Sequence, residues 1–276
     1  MRPRRPARPV GSTRPKPGTG RGPLLPVPDL AGPKVLLGVV WAIGTTAAVL
    51  VGPIVLALWF APTAAVAAAQ IARSWKGRPE GRRPRPEVAT AAAAVMVLGA
   101  PFGIAGLVAG VVLGAGGTAA WMTFAGPRAD DGAPAVHPAA LVLTWLSAMG
   151  PAAAAVGPVL LRDHGVVAAL VVVTYALVYD AASWIVGSGT RHHWIGPLAG
   201  IACIASVTVG IAGIFPQFKG GSAWQLGALA LVVAPLGPPV ATLLLGSRAR
   251  APAWRRLDSL LVMGPVWAVF AALLIG

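Results

Sequence analysis

Acidic residues are scarce in this chain. The sequence holds eight Asp and Glu residues among 276, and only Asp163, Asp180 and Asp258 follow Asp131. Charged residues make up 11% of the chain, against about 25% in soluble proteins, so a soluble globular class is excluded. A carboxylate at the centre of a bilayer helix costs about 2.5–3.5 kcal/mol. Each acid within a long apolar run is therefore a candidate functional residue.

Cysteine is scarcer still, because Cys203 is the single one in the sequence. One cysteine excludes an intramolecular disulfide and leaves the redox compartment undetermined. The sequence also contains no Cys/His spacing of the kind that structural zinc sites use.

Apolar residues are what the chain has in quantity, at 56% of the sequence. From about Lys34 to the C-terminus, apolar runs follow one another with short breaks. A helix needs about 20 such residues to cross the hydrocarbon core. Gly and Pro within these runs are compatible with membrane helices, since neighbouring helices can satisfy the freed backbone groups. The sequence therefore predicts an all-α fold, a polytopic integral membrane helical bundle.

The runs predict about nine transmembrane helices. Gly52-Pro53 is the expected turn between the first two, and Gly150-Pro151 is an expected kink within the fifth. The ladder Gly106, Gly110 and Gly114 has the GxxxG spacing that lets helices approach closely. The predicted spans are about 34–52, 53–72, 88–105, 106–126, 138–161, 165–187, 197–215, 223–245 and 258–275.

Positive charge is distributed unevenly along the chain, whose net charge is +14. Residues 1–33 carry seven Arg and Lys among many Pro and are expected to form a disordered cytoplasmic arm preceding a transmembrane domain over 34–276. With the N-terminus inside, the predicted inner segments hold 20 of the 22 Arg and Lys. The positive-inside rule then predicts a multi-pass protein of the cell membrane with a cytoplasmic N-terminus. Membrane topology accounts for the positive charge, so no nucleic-acid partner is expected.

The same orientation brings two acids to one membrane face. Asp180 lies towards the end of the sixth predicted span, and Asp258 opens the ninth. Both positions are cytoplasmic, so the two carboxylates are expected to converge on one site. Asp163 falls in a polar break on the outer side and is expected to be an ordinary loop residue.

The helix that carries Asp180 has a polar face. This face has residues at helical spacing, namely Asp180, Ser183, Trp184 and Gly187. They provide in turn a carboxylate, a hydroxyl, an amphipathic ring and a position without a side chain. A Gly/Ser turn then leads into Arg191, His192 and His193. Such a turn offers backbone N–H groups and positive charge to a phosphate. An interfacial helix end with an aromatic anchor and a basic loop explains the pattern equally well.

Four arginines, including Arg255 and Arg256, crowd the entry to the last predicted helix, whose first acid is Asp258. An acid at a helix N-terminus is stabilised by the helix dipole by about 0.3–1 kcal/mol. Asp258 is thus either a helix cap or the partner of one of these arginines, or it belongs to a site shared with Asp180.

The two acidic segments resemble the phosphatidate cytidylyltransferase (CDP-diacylglycerol synthase) family of membrane enzymes. The family pattern DxxAYxxG is similar to DAASWIVG at 180–187, and the C-terminal signature DRxDS, followed by a final apolar helix, is similar to RRLDS at 255–259. The two motifs also occur in the same order as in the family, and the second lies close to the end of the sequence, as it does there. The resemblance covers about the last 110 residues.

This resemblance implies an enzyme that transfers CMP from CTP to a lipid phosphate at the cytoplasmic membrane face. Asp180 and Asp258 would be the catalytic carboxylates and the ligands of Mg²⁺, and Arg256 would contact phosphate. The other implied substrate contacts are Ser183, Arg191, His192 and Ser259. The implied partners are membrane lipids and CTP, and association with further copies of the chain is left open.

Two departures from the family pattern leave other functions open. Arg255 stands where the signature has its first acid, and residues 194–202 contain neither the Lys nor the Thr of the family's nucleotide-binding stretch. One alternative is a non-catalytic membrane relative that kept the fold and lost the CTP chemistry. Another is a proton-coupled transporter in which Asp180 and Asp258 carry protons.

Overall fold

The computed structural model describes residues 34–79, 82–124, 137–188, 190, 192–215, 221–246 and 251–275. All regular elements in these ranges are helices, so the predicted all-α class is confirmed for this part of the chain. The predicted arm over residues 1–33 lies outside the described residues, as does the candidate site residue Arg191.

Ten α-helices make up the described part of the chain. Short 3₁₀ turns at Ala100–Phe102, Ala234–Leu236 and Trp254–Arg256 connect some of them. The helices are α1 (Lys34–Val51), α2 (Pro53–Ser74), α3 (Pro86–Gly99), α4 (Gly103–Phe124), α5 (Pro138–His164), α6 (Val166–Gly187), α7 (Ile195–Ile214), α8 (Ser222–Val233), α9 (Gly237–Leu243) and α10 (Asp258–Ile275).

Six helical segments within the described residues are long and apolar enough to cross a membrane. They are Pro53–Ser74, Pro86–Phe124, Pro138–His164, Val166–Gly187, Ile195–Ile214 and Ser222–Leu243. Leu36–Val51 and Asp258–Leu274 are shorter apolar helices. A membrane-type helical bundle is therefore the architecture, and the count of nine spans stays a prediction.

The segment Pro86–Phe124 is folded back on itself. Gly103 has φ +71°, a conformation that favours glycine, at the start of α4. A Cβ on Gly99 would lie 2.4 Å from the carbonyl oxygen of Gly106, so the backbones of α3 and α4 touch. The ladder of small residues thus builds a helical hairpin whose turn precedes the predicted boundary at residues 105–106.

Proline interrupts the predicted span 223–245 but not the predicted span 138–161. Helix α8 passes through the 3₁₀ turn Ala234–Leu236 into α9, whereas α5 continues through Pro151 and Pro158. The turn is important for the site because it brings Gly237 against the start of α10. A Cβ on Gly237 would lie 2.0 Å from the backbone oxygen of Asp258.

Helices α2, α5 and α10 pack in the interior of the bundle. The backbones of α5 and α10 cross where a Cβ on Gly157 would lie 2.3 Å from the carbonyl carbon of Gly264. The largest fully buried side chains include Trp254, Trp267 and Phe60. Trp267 Nε1 donates to the carbonyl oxygen of Leu226 at 3.1 Å, so even the buried indole is hydrogen-bonded.

Candidate functional site

Asp180 and Ser259 join the two acidic segments through a hydrogen bond. Ser259 Oγ donates to Asp180 Oδ2 at 3.1 Å, from α10 to α6. Ser259 is fully buried, Asp258 is 6% exposed and Asp180 is half-buried. Asp258 directly precedes Ser259, and its charge acts on Asp180. The two acidic segments therefore meet in the fold, and a site shared by both carboxylates stays a prediction.

Arg255 lies in a cradle of three oxygens contributed by α9 and α10. Its Nη1 atom is 3.4 Å from Asp258 Oδ2 and 3.5 Å from the carbonyl oxygen of Pro238. Its Nη2 atom donates to Thr242 Oγ1 at 3.0 Å. The Arg255 side chain is 29% exposed. Asp258 is thus the ion-pair partner of Arg255, one of the two structural roles that its position allowed.

Arg256 completes a cluster with two positive and two negative side chains. Its charge acts attractively on both Asp180 and Asp258. A Cβ on Gly38 would lie 3.1 Å from Arg256 Nη1, so the guanidinium packs against α1. We call Asp180, Arg255, Arg256, Asp258 and Ser259 the charged cluster. Its formal charges cancel.

Helix α2 fixes the turn that presents the two arginines. Gln70 Oε1 accepts hydrogen bonds from the backbone N–H groups of Ala253 (3.1 Å) and Trp254 (3.3 Å), the residues at the start of the 3₁₀ turn. Trp254 is fully buried, and its Nε1 atom donates to the carbonyl oxygen of Ala241 at 2.9 Å. The turn is therefore held by α2 on one side and by α9 on the other.

A second pair of contacts from α2 holds the chain just before the undescribed residues 247–250. Ser74 Oγ accepts the backbone N–H of Gly246 at 2.8 Å. Trp75 Nε1 donates to the carbonyl oxygen of Leu244 at 3.2 Å. The two ends of the basic segment between α9 and α10 are thus both tied to the end of α2.

Ser183 and His192 lie apart from the contacts that define the charged cluster. A Cβ on Gly200 would lie 2.6 Å from Ser183 Oγ, so the Ser183 side chain faces α7. His192 lies in the exposed link to α7, where its carbonyl oxygen accepts a hydrogen bond from Thr190 Oγ1 at 3.2 Å. The substrate roles that the resemblance implies for these two residues stay predictions.

Tyr179 is a buried neighbour of the cluster that sequence reasoning missed. It is 2% exposed, and its hydroxyl lies within electrostatic range of Asp180 and Asp258. Ser183 lies one helical turn further on, but the hydroxyls of Tyr179 and Ser183 do not reach hydrogen-bonding geometry with each other. Both hydroxyls are buried without a partner among the described residues.

Gln70 and Thr242 also escaped the sequence analysis, although both left a signal. Each is one of two polar side chains in its predicted apolar run, which Gln70 shares with Thr63 and Thr242 shares with Gln225. Polar residues within membrane helices face the bundle interior and find partners there. Pro238 left no such signal, because its backbone oxygen contributes to the cradle.

One groove of the bundle lies away from the charged cluster. It has a volume of about 330 Å³, runs along the contact of α3 with α4, and is lined mainly by small and apolar residues together with Glu87. Its lining includes Val88, Gly114 and Trp121 and no member of the charged cluster. This groove is therefore not the site that the acidic segments form.

The charged cluster as folded does not fit a resident Mg²⁺ ion. Magnesium is held by oxygen ligands, commonly one or two carboxylates with waters and substrate phosphates. Asp258 already pairs with Arg255, and Asp180 accepts from Ser259. Within the described residues, no group of three or more His, Cys, Asp or Glu side chains could hold a metal ion.

Comparison of the chain with protein-family models, with characterised proteins and with solved structures gave no significant match.

Proposed function

We propose that the chain is a polytopic membrane protein that transfers CMP from CTP to a lipid phosphate at the cytoplasmic face of the membrane. In this reaction an oxygen of the lipid phosphate attacks the α-phosphorus of CTP, and pyrophosphate leaves with the electrons of the broken P–O bond. The observation that carries the proposal is the hydrogen bond between Ser259 and Asp180. It joins the two segments that resemble a lipid cytidylyltransferase.

The proposed roles follow from charge. The reactants are strongly anionic, so catalysis rests on positioning and on neutralising phosphate oxygens. Arg256 is the cation proposed to contact phosphate, and Asp180 is the carboxylate proposed to face the Mg²⁺ carried by the CTP phosphates. Asp258 acts through Arg255 and Ser259, which it orients. Substrate contacts at Ser183, Arg191 and His192 are proposed from the resemblance alone.

The proposed membrane orientation has nine spans with the basic segments in the cytoplasm. The contacts that tie the end of α2 to residues 244–254 favour it, because they gather basic segments at one end of the bundle. Arg162 Nε donates to the carbonyl oxygen of Val49 at 2.7 Å, which joins the ends of α1 and α5. These two ends belong to the proposed outer side.

A second function is favoured by the ion pair between Arg255 and Asp258. The ion pair engages the Asp258 carboxylate, so this carboxylate is not available to bind a metal ion or a nucleotide. A non-catalytic membrane relative, which binds a lipid phosphate through the arginines without transferring CMP, would retain this geometry.

One assay separates the two functions. The full chain purified in detergent is given phosphatidate, radiolabelled CTP and Mg²⁺, and labelled CDP-lipid is measured. The cytidylyltransferase proposal predicts that Asp180→Asn lowers the rate by at least about 100-fold, in line with the loss of a group that stabilises charge in the transition state. Asp258→Asn is expected to lower it as well.

Asp163→Asn is the matched control, because this exposed acid lies at the C-terminal end of α5 and outside the charged cluster. Its rate should equal that of the unmodified protein. If the unmodified chain forms no more CDP-lipid than the Asp180→Asn/Asp258→Asn double variant, transfer is excluded. Retained binding of phosphatidate-containing vesicles would then support the non-catalytic function.

A further inference from the structure

Arg255 lies where the oxygen atoms around it would suit a small cation. A carboxylate, a backbone carbonyl and a hydroxyl converge on its guanidinium, from Asp258, Pro238 and Thr242. Hard cations such as Mg²⁺ and Mn²⁺ take these same three oxygen types in proteins. The donor set therefore matches a cation site, and a side chain of the protein itself fills it.

The fold holds this arrangement rigidly. Gln70 binds the backbone at the start of the turn that carries Arg255, and Gly237 brings α9 against the backbone of Asp258. Pro238 and Thr242 lie one helical turn apart on α9, so their oxygens face the same neighbour. The partly exposed Arg255 side chain therefore lies between α9 and the start of α10.

We infer that Arg255 is a built-in cation that takes the place of a metal ion in the charged cluster and keeps the cluster closed to free divalent cations. A guanidinium is charged at all physiological pH values and carries five donors. It therefore supplies a permanent positive charge to Asp258 that needs no ion from solution. Its ligand would be an anion that arrives with its own counter-ion or with none, such as a phosphate monoester.

The inference concerns the charge of the cluster and rests on the proposed function only for the identity of that anion. Its test therefore measures a metal and not CMP transfer. Mn²⁺ is the probe, because its electron paramagnetic resonance signal reports binding directly and it prefers the ligands that Mg²⁺ prefers. The full chain is used in detergent.

Removal of the guanidinium should open the site. Arg255→Ala is expected to raise the affinity for Mn²⁺ by at least about tenfold, since a unit positive charge at about 4 Å repels a cation even at a high effective dielectric. The gain should disappear in Arg255→Ala/Asp258→Asn. Arg255→Gln is a second variant, which keeps donors for Thr242 and Pro238 and should also gain Mn²⁺ binding if Arg255→Ala does not fold.

Arg162→Gln is the charge-matched control, because it removes one guanidinium at the other end of the bundle. It should leave Mn²⁺ binding unchanged. Two results would overturn the inference: an unmodified chain that already binds Mn²⁺ through Asp258 as tightly as the Arg255 variants, or folded Arg255 variants that gain no Mn²⁺ binding. Neither result would decide whether the protein transfers CMP, which the CDP-lipid assay measures separately.

Discussion

At the scale of single residues, the charged cluster depends on short side chains placed where two helices meet. Ser259 is fully buried, and its hydroxyl is the donor that the structure provides to Asp180 across the α6–α10 contact. A hydrogen bond to a charged group contributes about 1.5–3 kcal/mol. The cost of removing it is higher when the carboxylate is left without a donor.

Ser259→Ala is expected to lower the free energy of unfolding by about 1–3 kcal/mol. The matched control is Ser206→Ala, because Ser206 is exposed and its hydroxyl donates only to the carbonyl oxygen of Ala202 in its own helix. Thermal unfolding in detergent measures both variants. A double-mutant cycle with Asp180→Asn should give a coupling energy of about 0.5 kcal/mol or more. Additive effects would show that the bond contributes nothing.

At the scale of elements, α2 supports the site without carrying any of its charges. Its last two turns hold both ends of the basic segment between α9 and α10, through Gln70, Ser74 and Trp75. Gln70 accepts two backbone N–H groups, which satisfies donors that the start of the 3₁₀ turn would otherwise leave without partners. The positions of Arg255 and Arg256 therefore depend on the neutral side chain of Gln70, which belongs to a helix far from them in the sequence.

Gln70→Leu should loosen the turn while it preserves the volume of the side chain. Hydrogen–deuterium exchange of peptides that cover residues 251–257 is expected to rise by about fivefold or more, because the loss of hydrogen bonds worth about 1 kcal/mol raises the open population by that factor. Gln70→Glu keeps the acceptor oxygens and should restore slow exchange. Exchange in peptides from α3 should be the same in all three proteins. Equal exchange at 251–257 in Gln70→Leu would show that α2 does not hold the turn.

At the scale of the whole molecule, charge and packing divide the bundle into two ends. The end with the charged cluster also has the basic residues that follow α2, and the other end has the Arg162 contact with α1. Positive charge near membrane helices favours the cytoplasmic side. The proposed orientation therefore follows from the end at which the basic segments meet.

Cysteine labelling tests this orientation. In a Cys203→Ala background, single cysteines are placed at the exposed positions Lys76, His192 and His164. A membrane-impermeant maleimide added to intact cells should label only the His164→Cys variant. All three should react after the membrane is permeabilised. Labelling of Lys76→Cys from outside would reverse the proposed orientation, and labelling of both His164→Cys and His192→Cys would remove α6 from the count of spans.

Much of the architecture was predictable because it rests on local properties. Run length and apolar composition predicted helices close to those observed, and Gly52-Pro53 predicted the break between α1 and α2. The bend after α8 was missed, since Pro235 follows a run that remains apolar on both sides. Helix α5 continues through Pro151, whereas α8 ends just before Pro235. The difference depends on the neighbours that satisfy the backbone groups freed by each proline.

The sequence by itself determined that this chain forms apolar helices and that Asp180 and Asp258 are the acids to examine, and it predicts that the basic residues lie at one end of the helices. Composition and charge suffice for these conclusions because transfer into lipid depends on each residue singly. The tertiary structure decided which cation meets Asp258, that Ser259 hydrogen-bonds Asp180, and that Gln70, Pro238 and Thr242 take part. Apart from the pair of Arg255 and Asp258, which is local in the sequence, these contacts join residues 13 to 184 positions apart, and the packing of α2, α6, α9 and α10 brings them together.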